Sequence, residues 1–291
     1  MTATPSAPAI GRVPGTATQA LLLSRYQFRD YLRSRRFVLM MIIVAVIGAI
    51  LSFVLAYFHS SAPVQGLLAS GDSFYGSAWA GGVTIVIIFA GIIFGGDAIA
   101  GEFQNKTGYF LMGLPIKRAT VYTGKFLAAL AASLVAVFFY LAILLANGAY
   151  YLHANAFPLA LGESFLISLL YLFALLGSVF LFSSLFKNSL YAVLVVAVLF
   201  LFGFSLIQGV ITDLVKIEPW FIITYADQVI GYPFLSTLPE HVASVTTRAP
   251  GGSITETVYS PTYLEGFVIM IGYFVLTALA GLWLFEREEF T

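Results

Sequence analysis

Residues 78–146 read AWAGGVTIVIIFAGIIFGG (78–96), DAIAGEFQNKTGYFLMGLPIKRATVYTGK (97–125) and FLAALAASLVAVFFYLAILLA (126–146). The first and third stretches hold no Asp, Glu, Lys, Arg or His. Each is long enough to cross a bilayer, which takes about 20 apolar residues. The middle stretch is compact and charged. This alternation, membrane then polar excursion then membrane, sets the reading of the whole chain.

Four more uncharged stretches of the same kind flank it: Phe37–Phe58, Ser164–Phe186, Ser189–Thr212 and Gly266–Phe285. With Ala78–Gly96 and Phe126–Ala146 they make six candidate spans. The 291 residues are 60% hydrophobic and 10% charged, where a soluble domain carries about 25% charged residues. The expected fold class is therefore an all-α integral membrane protein. Its expected parts are a disordered tail over 1–16, an interfacial helix over 17–36 and a six-span domain over 37–291 that includes an outer segment, 213–265.

Net charge is zero, so charge points to no partner, and no segment reads as a nucleic-acid surface. The distribution of charge says more. If six spans alternate, twelve of the fourteen Lys and Arg residues fall on one side, and only Lys216 and Arg248 fall on the other. Cytoplasmic loops are enriched in Lys and Arg. Both termini and the 97–125 loop are thus expected in the cytoplasm of a multi-pass protein of the cell membrane, and only an even span count gives this split. The chain lacks cysteine, which excludes disulfides and thiolate metal sites. The first 16 residues are rich in Pro, Ala, Thr and Gly and lack the apolar core of a signal peptide.

At 100° per residue, Arg25, Arg29, Arg33 and Arg36 share one arc of the 17–36 helix. Leu21, Phe28, Tyr31 and Leu32 share the neighbouring arc, although Arg35 intrudes on it. That pattern predicts a helix on the inner bilayer surface, its arginines among anionic headgroups. Lys187 and Asn188 alone separate spans four and five, which predicts an antiparallel helix pair. The outer segment 213–265 holds five prolines and an apolar patch, Trp220–Tyr225, too short to cross. It is expected to form re-entrant or surface-lying helices and then a polar cap, with Trp220, Tyr225 and Tyr232 at the membrane interface.

Several chemistries are excluded. There is no HExxH, and no histidine lies in a span. Span serines such as Ser178, Ser183 and Ser184 are read as packing and hydrogen-bonding groups. The run Thr123-Gly124-Lys125-Phe126 resembles the end of a phosphate-binding loop, but Ala119 replaces the first glycine and Phe126 the Mg²⁺-binding hydroxyl. The chain is expected to bind no nucleotide, metal or other cofactor itself, and to be no enzyme. No span has an ionisable residue, which argues against a proton-coupled carrier. Within 97–125, Ala98–Met112 is expected to form a short helix, with Glu102 and Lys106 spaced for an i,i+4 pair. Lys117 and Arg118 would then sit at headgroup level. Tyr109, Phe110, Leu111 and Met112 make an apolar run that suits a protein or membrane partner.

The chain resembles the permease subunit of type-2 ABC exporters from Ala17 to Phe285. The resemblance rests on the surface helix, the six spans, the large outer segment and a run of residues around span three. That run is Asp97-Ala-Ile-Ala-Gly-Glu102, Lys106-Thr107-Gly108, Leu114-Pro115-Ile116-Lys117-Arg118 and Gly124-Lys125, with Thr107-Gly108 in the reversed order of the family's pair. It implies a coupling helix within Gly101–Gly113 that docks on a separate ATPase, which would bind ATP and Mg²⁺. Docking would fall on Gly101, Glu102, Lys106, Thr107, Gly108, Tyr109 and Phe110, with Arg25, Arg29, Arg33 and Arg36 on a connecting helix. Spans two and five would line a path between two permease chains, through Thr84, Phe89, Phe94, Phe200, Phe204 and Gln208. The second permease would be another copy or a related chain, and the apolar spans suggest a hydrophobic or amphipathic substrate. Two other classes stay open: a structural or assembly protein anchoring an envelope complex through 213–265, and an ion-coupled secondary carrier.

Overall fold

The computed structural model describes residues 15–105, 116–153, 157–249 and 252–287. Among these residues, six helices are long and apolar enough to cross a membrane. The first described element is α1 (Thr16–Arg33), which ends at Ser34. Ser34 accepts a hydrogen bond from the Phe37 N–H and so caps α2 (Arg35–Tyr57), the first span. After α3 (Ala62–Leu67), span two runs as α4 (Gly71–Ala90) and a π-helical turn, Gly91–Gly95. Next comes α5 (Ala100–Gln104). Spans three and four are α6 (Arg118–Leu152) and α7 (Leu159–Leu185). Span five, α8, covers Ser189–Val215 and carries π turns at Leu199–Gly203 and Ile211–Val215. Then follow α9 (Ile223–Ala226), a 3₁₀ stretch Asp227–Phe234, strands β1 (Val242–Ala249) and β2 (Gly252–Tyr259), and span six, α10 (Tyr263–Arg287).

The helices overrun the apolar stretches because hydrogen bonding carries a helix past the hydrocarbon edge into the polar zone. Span two is the clearest case. It begins at Gly71, seven residues before the uncharged stretch Ala78–Gly96, because Ser70 caps the helix there. The core lies among spans two, three and four, with α10 packed along α7 as the most extensive helix pair. Small residues set these approaches. A Cβ on Gly177 would stand 2.8 Å from the Thr277 hydroxyl and 3.3 Å from the Phe274 carbonyl oxygen. Spans four and five do not pair along their length. They meet chiefly through residues Ser189–Val198. Each π turn inserts a residue and rotates the helix face, and beyond the first turn Leu206, Ile207 and Val210 of span five are exposed, as is Phe202 within it.

One end of the molecule carries α1, α5 and the C-terminus of α10, and the other carries α3, α9 and the strands. At the α5 end, Arg118 donates to the Glu286 carbonyl at 2.8 Å, placing a cation on the last carbonyls of α10. At the other end, the 3₁₀ stretch is wedged between spans two and four. Ser164 accepts from the Trp79 indole at 3.0 Å and donates to the Ile230 carbonyl at 2.5 Å. Tyr225 and Tyr232, expected at a membrane interface, are buried instead, their hydroxyls donating to Glu218 and to the Pro261 carbonyl at 2.8 Å each. Trp220 remains exposed. The polar cap contains an antiparallel hairpin in which Val242 pairs with Tyr259 and Ala249 with Gly252. Alternating Val, Ile and Thr around Pro250-Gly251 is its sequence signal.

Candidate functional site

The charged excursion after span two is built around a helix too short to stand alone. Five residues form α5, and isolated helices need roughly 12–15 residues to be even marginal in water. Its position comes from tertiary bonds to four spans.

Span four supplies Ser183, whose hydroxyl accepts the N–H groups of Ile99 and Ala100 at 3.0 and 3.1 Å. These donors open α5 and have no carbonyl to bond within the helix. Span three supplies Lys125, a buried residue. Its Nζ donates to the Ala98 carbonyl at 2.8 Å and to Glu102 Oε1 at 2.5 Å. The lysine side chain is 7% exposed and the glutamate 14%, so the pair is largely desolvated and its geometry carries energetic weight. Span five supplies Ser189 twice. Its N–H donates to Gln104 Oε1 at 2.7 Å and its hydroxyl to Asp97 Oδ2 at 3.1 Å. Span one supplies Arg36, whose guanidinium lies 2.5 Å from the same Asp97 oxygen.

The α1 helix is attached to this cluster as well. Tyr31 donates to the Phe94 carbonyl at 2.8 Å, and its ring meets that of Phe94 at 5.4 Å. Burial, with the Asp97 carboxylate nearby, pushes the Tyr31 hydroxyl well above its usual range, so it stays protonated and donating at physiological pH. Leu23 and Ala20 press on Gly124 of span three. The protein-facing stripe of α1 therefore includes Ala20, Leu23 and Tyr31, while Leu21 and Leu32 are exposed.

The expected site residues divide accordingly. Gly101 and Glu102 lie in α5, whereas Lys106, Thr107, Gly108, Tyr109 and Phe110 fall outside the described residues. Arg25, Arg29 and Arg33 sit exposed on α1. Arg36 does not, because the break at Ser34 puts it in the first turn of α2, where it pairs with Asp97. Charge spacing alone could not reveal that break.

A second feature lies between spans two and five. Thr84, Phe200 and Gln208 line a cavity of about 660 Å³ together with Ile85, Thr224 and Asp227. The Thr224 hydroxyl donates to Gln208 Oε1 at 2.8 Å. Burial raises the Asp227 carboxyl to about 7. Phe204 stacks edge-on against Phe200 at 5.0 Å. Phe89 is half-buried and outside the cavity wall. Phe94 corrects the expectation, for it is wholly buried at the α5 end against Tyr31 and Phe37. Periodicity puts it on span two without telling which neighbour covers it. Thr224 and Asp227 were missed because they come from the outer segment, and only the fold brings them to span five.

What the α5 cluster offers is mechanical, a charged helix tied to spans one, three, four and five at once. Over residues 21–290 the sequence matches the family described as ABC-2 family transporter protein. The chain belongs to that family. It is the membrane-embedded transport subunit of an ABC transporter, a part distinct from the ATPase. No curated protein matches the permease in sequence.

Proposed function

We propose that the permease moves a hydrophobic or amphipathic substrate out across the cell membrane, driven by a separate ATPase that docks at the α5 end. In this reading both termini and α5 are cytoplasmic, in line with the one-sided distribution of Lys and Arg. The observation that carries it is the bonding of α5. A helix held by Arg36 through Asp97, by Lys125, by Ser183 and by Ser189 cannot shift without pulling on four spans. When ATP closes two ATPase subunits, a push on α5 reaches the spans through these bonds, those of Lys125 and Ser183 largely desolvated, whose rearrangement is discrete rather than elastic. Docking itself falls on Gly101, Glu102 and the segment after them.

The path would run by the Thr84–Gln208–Asp227 cavity, whose wall mixes Ile85, Ile88 and Phe200 with polar groups, a lining suited to amphipathic molecules. The exposed apolar face of span five supports a second permease, the same or related, completing that wall. Reconstitution with the ATPase that accompanies the permease from native membranes tests this. ATP-dependent efflux of an amphipathic reporter is expected, and it is lost in Ser183→Ala/Lys125→Met. Flux driven by an ion gradient without any ATPase would overturn the reading in favour of a secondary carrier. The absence of both an ATPase partner and flux would favour an assembly protein.

A further inference from the structure

At the end opposite α5, three metal-ligating side chains from distant parts of the chain converge. Glu218 follows span five, His241 precedes β1 and Glu265 lies in the first turn of α10. One ligand atom from each lies within 4.8 Å of the others. All three are reachable from solvent, with side chains 22%, 40% and 37% exposed.

The hydrogen bonds around them fix which atoms are free. His241 Nδ1 lies 3.0 Å from the Ser260 carbonyl. A carbonyl only accepts, so Nδ1 donates to it. Nε2 faces Glu218 Oε2 at 3.3 Å. A carboxylate only accepts, so this contact takes either a proton on Nε2 or a metal ion between the two atoms. The other Glu218 oxygen is held by the Tyr225 hydroxyl at 2.8 Å. Glu265 Oε2 is held by the Thr262 N–H at 2.7 Å and stands 3.6 Å from His241 Nδ1, the ring nitrogen that Glu218 does not face. Each ligand is thus oriented by an outer partner, the arrangement that tunes metal sites. The 3.3 Å between Nε2 and Glu218 Oε2 matches one edge of a tetrahedron with ligand bonds of roughly 2.0–2.1 Å, and Glu265, within 4.8 Å of both ligands, closes the set by turning its carboxylate toward Nε2.

We propose that Glu218, His241 and Glu265 bind a divalent late first-row transition ion, zinc being the probe of choice, with water in the fourth position. One imidazole and two carboxylates are a ligand set zinc accepts and Mg²⁺ does not favour. The ion joins the end of span five, the base of the hairpin and the start of span six; the first two are already linked by the Tyr259 hydroxyl on the Lys216 carbonyl. It is a clamp on the cap, separate from the α5 cluster and independent of the transport reading.

The test uses tag-free, chelator-stripped permease in nanodiscs, with zinc alone as ligand. Equilibrium dialysis is expected to give one zinc per chain, retained in excess Mg²⁺. His241→Ala should weaken binding by about 100-fold or more, as loss of a direct ligand exceeds the 10–100-fold typical of outer partners. Tyr225→Phe should weaken it about 10-fold. Zinc should raise the melting temperature of the wild type and leave that of His241→Ala unchanged. Should His241→Ala fail to fold, Glu265→Gln and Tyr225→Phe carry the same comparison. Substoichiometric zinc, or equal affinity in the wild type and the variants, overturns the proposal. So does a cap whose stability follows pH but ignores zinc, which would make the bridging cation a proton on His241.

Discussion

Replacing Lys125 by Met is the sharpest perturbation of the α5 cluster. The methionine fills most of the lysine's volume, so packing on span three survives. What is lost is the cation that satisfies the Ala98 carbonyl at 2.8 Å and Glu102 at 2.5 Å. Breaking a buried pair from one side costs about 3–5 kcal/mol, mostly because the remaining charge is left desolvated. Glu102 keeps 14% of its side chain exposed and can turn toward water, so the cost falls to about 2–3 kcal/mol. Glu102→Gln should cost a similar amount by stranding the lysine. The double variant Lys125→Met/Glu102→Gln removes both charges and should be less damaged than the sum of the singles by at least about 1.5 kcal/mol. Reversible unfolding in mixed micelles supplies the four free energies of the cycle. If the single effects add within about 0.5 kcal/mol, the pair is not coupled, and α5 is not held to span three by this bond.

Three other outcomes are expected. Ser183→Ala strands the Ile99 and Ala100 N–H groups and should cost about 1–3 kcal/mol, whereas Ser184→Ala, which loses only a bond to the Phe180 carbonyl of its own helix, should cost under about 0.5 kcal/mol; the same unfolding assay distinguishes them. Gly177→Leu drives a side chain into Thr277 and the Phe274 backbone, and should cost about 1–3 kcal/mol or more by overpacking, read as loss of monodisperse protein. Asp227, raised to about 7, binds its proton more tightly folded than unfolded, so its contribution is present at low pH and is lost as pH rises from about 4 to 7, then flat. Melting temperatures of the wild type should therefore fall relative to Asp227→Asn between about pH 5 and 7, and parallel curves would contradict the burial of that carboxyl.

Much of the architecture was legible because membrane spans announce themselves by length and by missing charge. Among the described residues each of the six apolar stretches falls on a long helix, the third within Arg118–Leu152. The break at Ser34 was not legible, because a single capping serine between arginines is invisible to an arc of charges. Nor was the separation of spans four and five, since a two-residue turn limits where they meet but not how two π turns redirect the rest. At the α5 cluster the sequence supplied Asp97, Glu102 and Lys125 as a charged set. It did not say that Lys125 is buried or that Glu102 turns to it. Glu102 and Lys125 are separated by 23 positions, and only the meeting of α5 with span three pairs them. The outer segment hid the most. Its prolines and glycines read as cap and turns, while Tyr225 and Tyr232 became internal anchors through hydroxyl bonds that no local pattern displays.

The central claim is that the α5 end receives an ATPase. The chain has no cysteine, so a cysteine placed at exposed Asn105, next to α5, is unique, as is a control at exposed Ser236 on the opposite end. Each variant is cross-linked in native membranes with a short thiol-to-amine reagent, and the product is identified by mass spectrometry. The account predicts that Asn105→Cys captures a polypeptide bearing GxxxxGK[ST], and that Ser236→Cys does not. Capture of no such ATPase at Asn105, or equal capture from both positions, would contradict it.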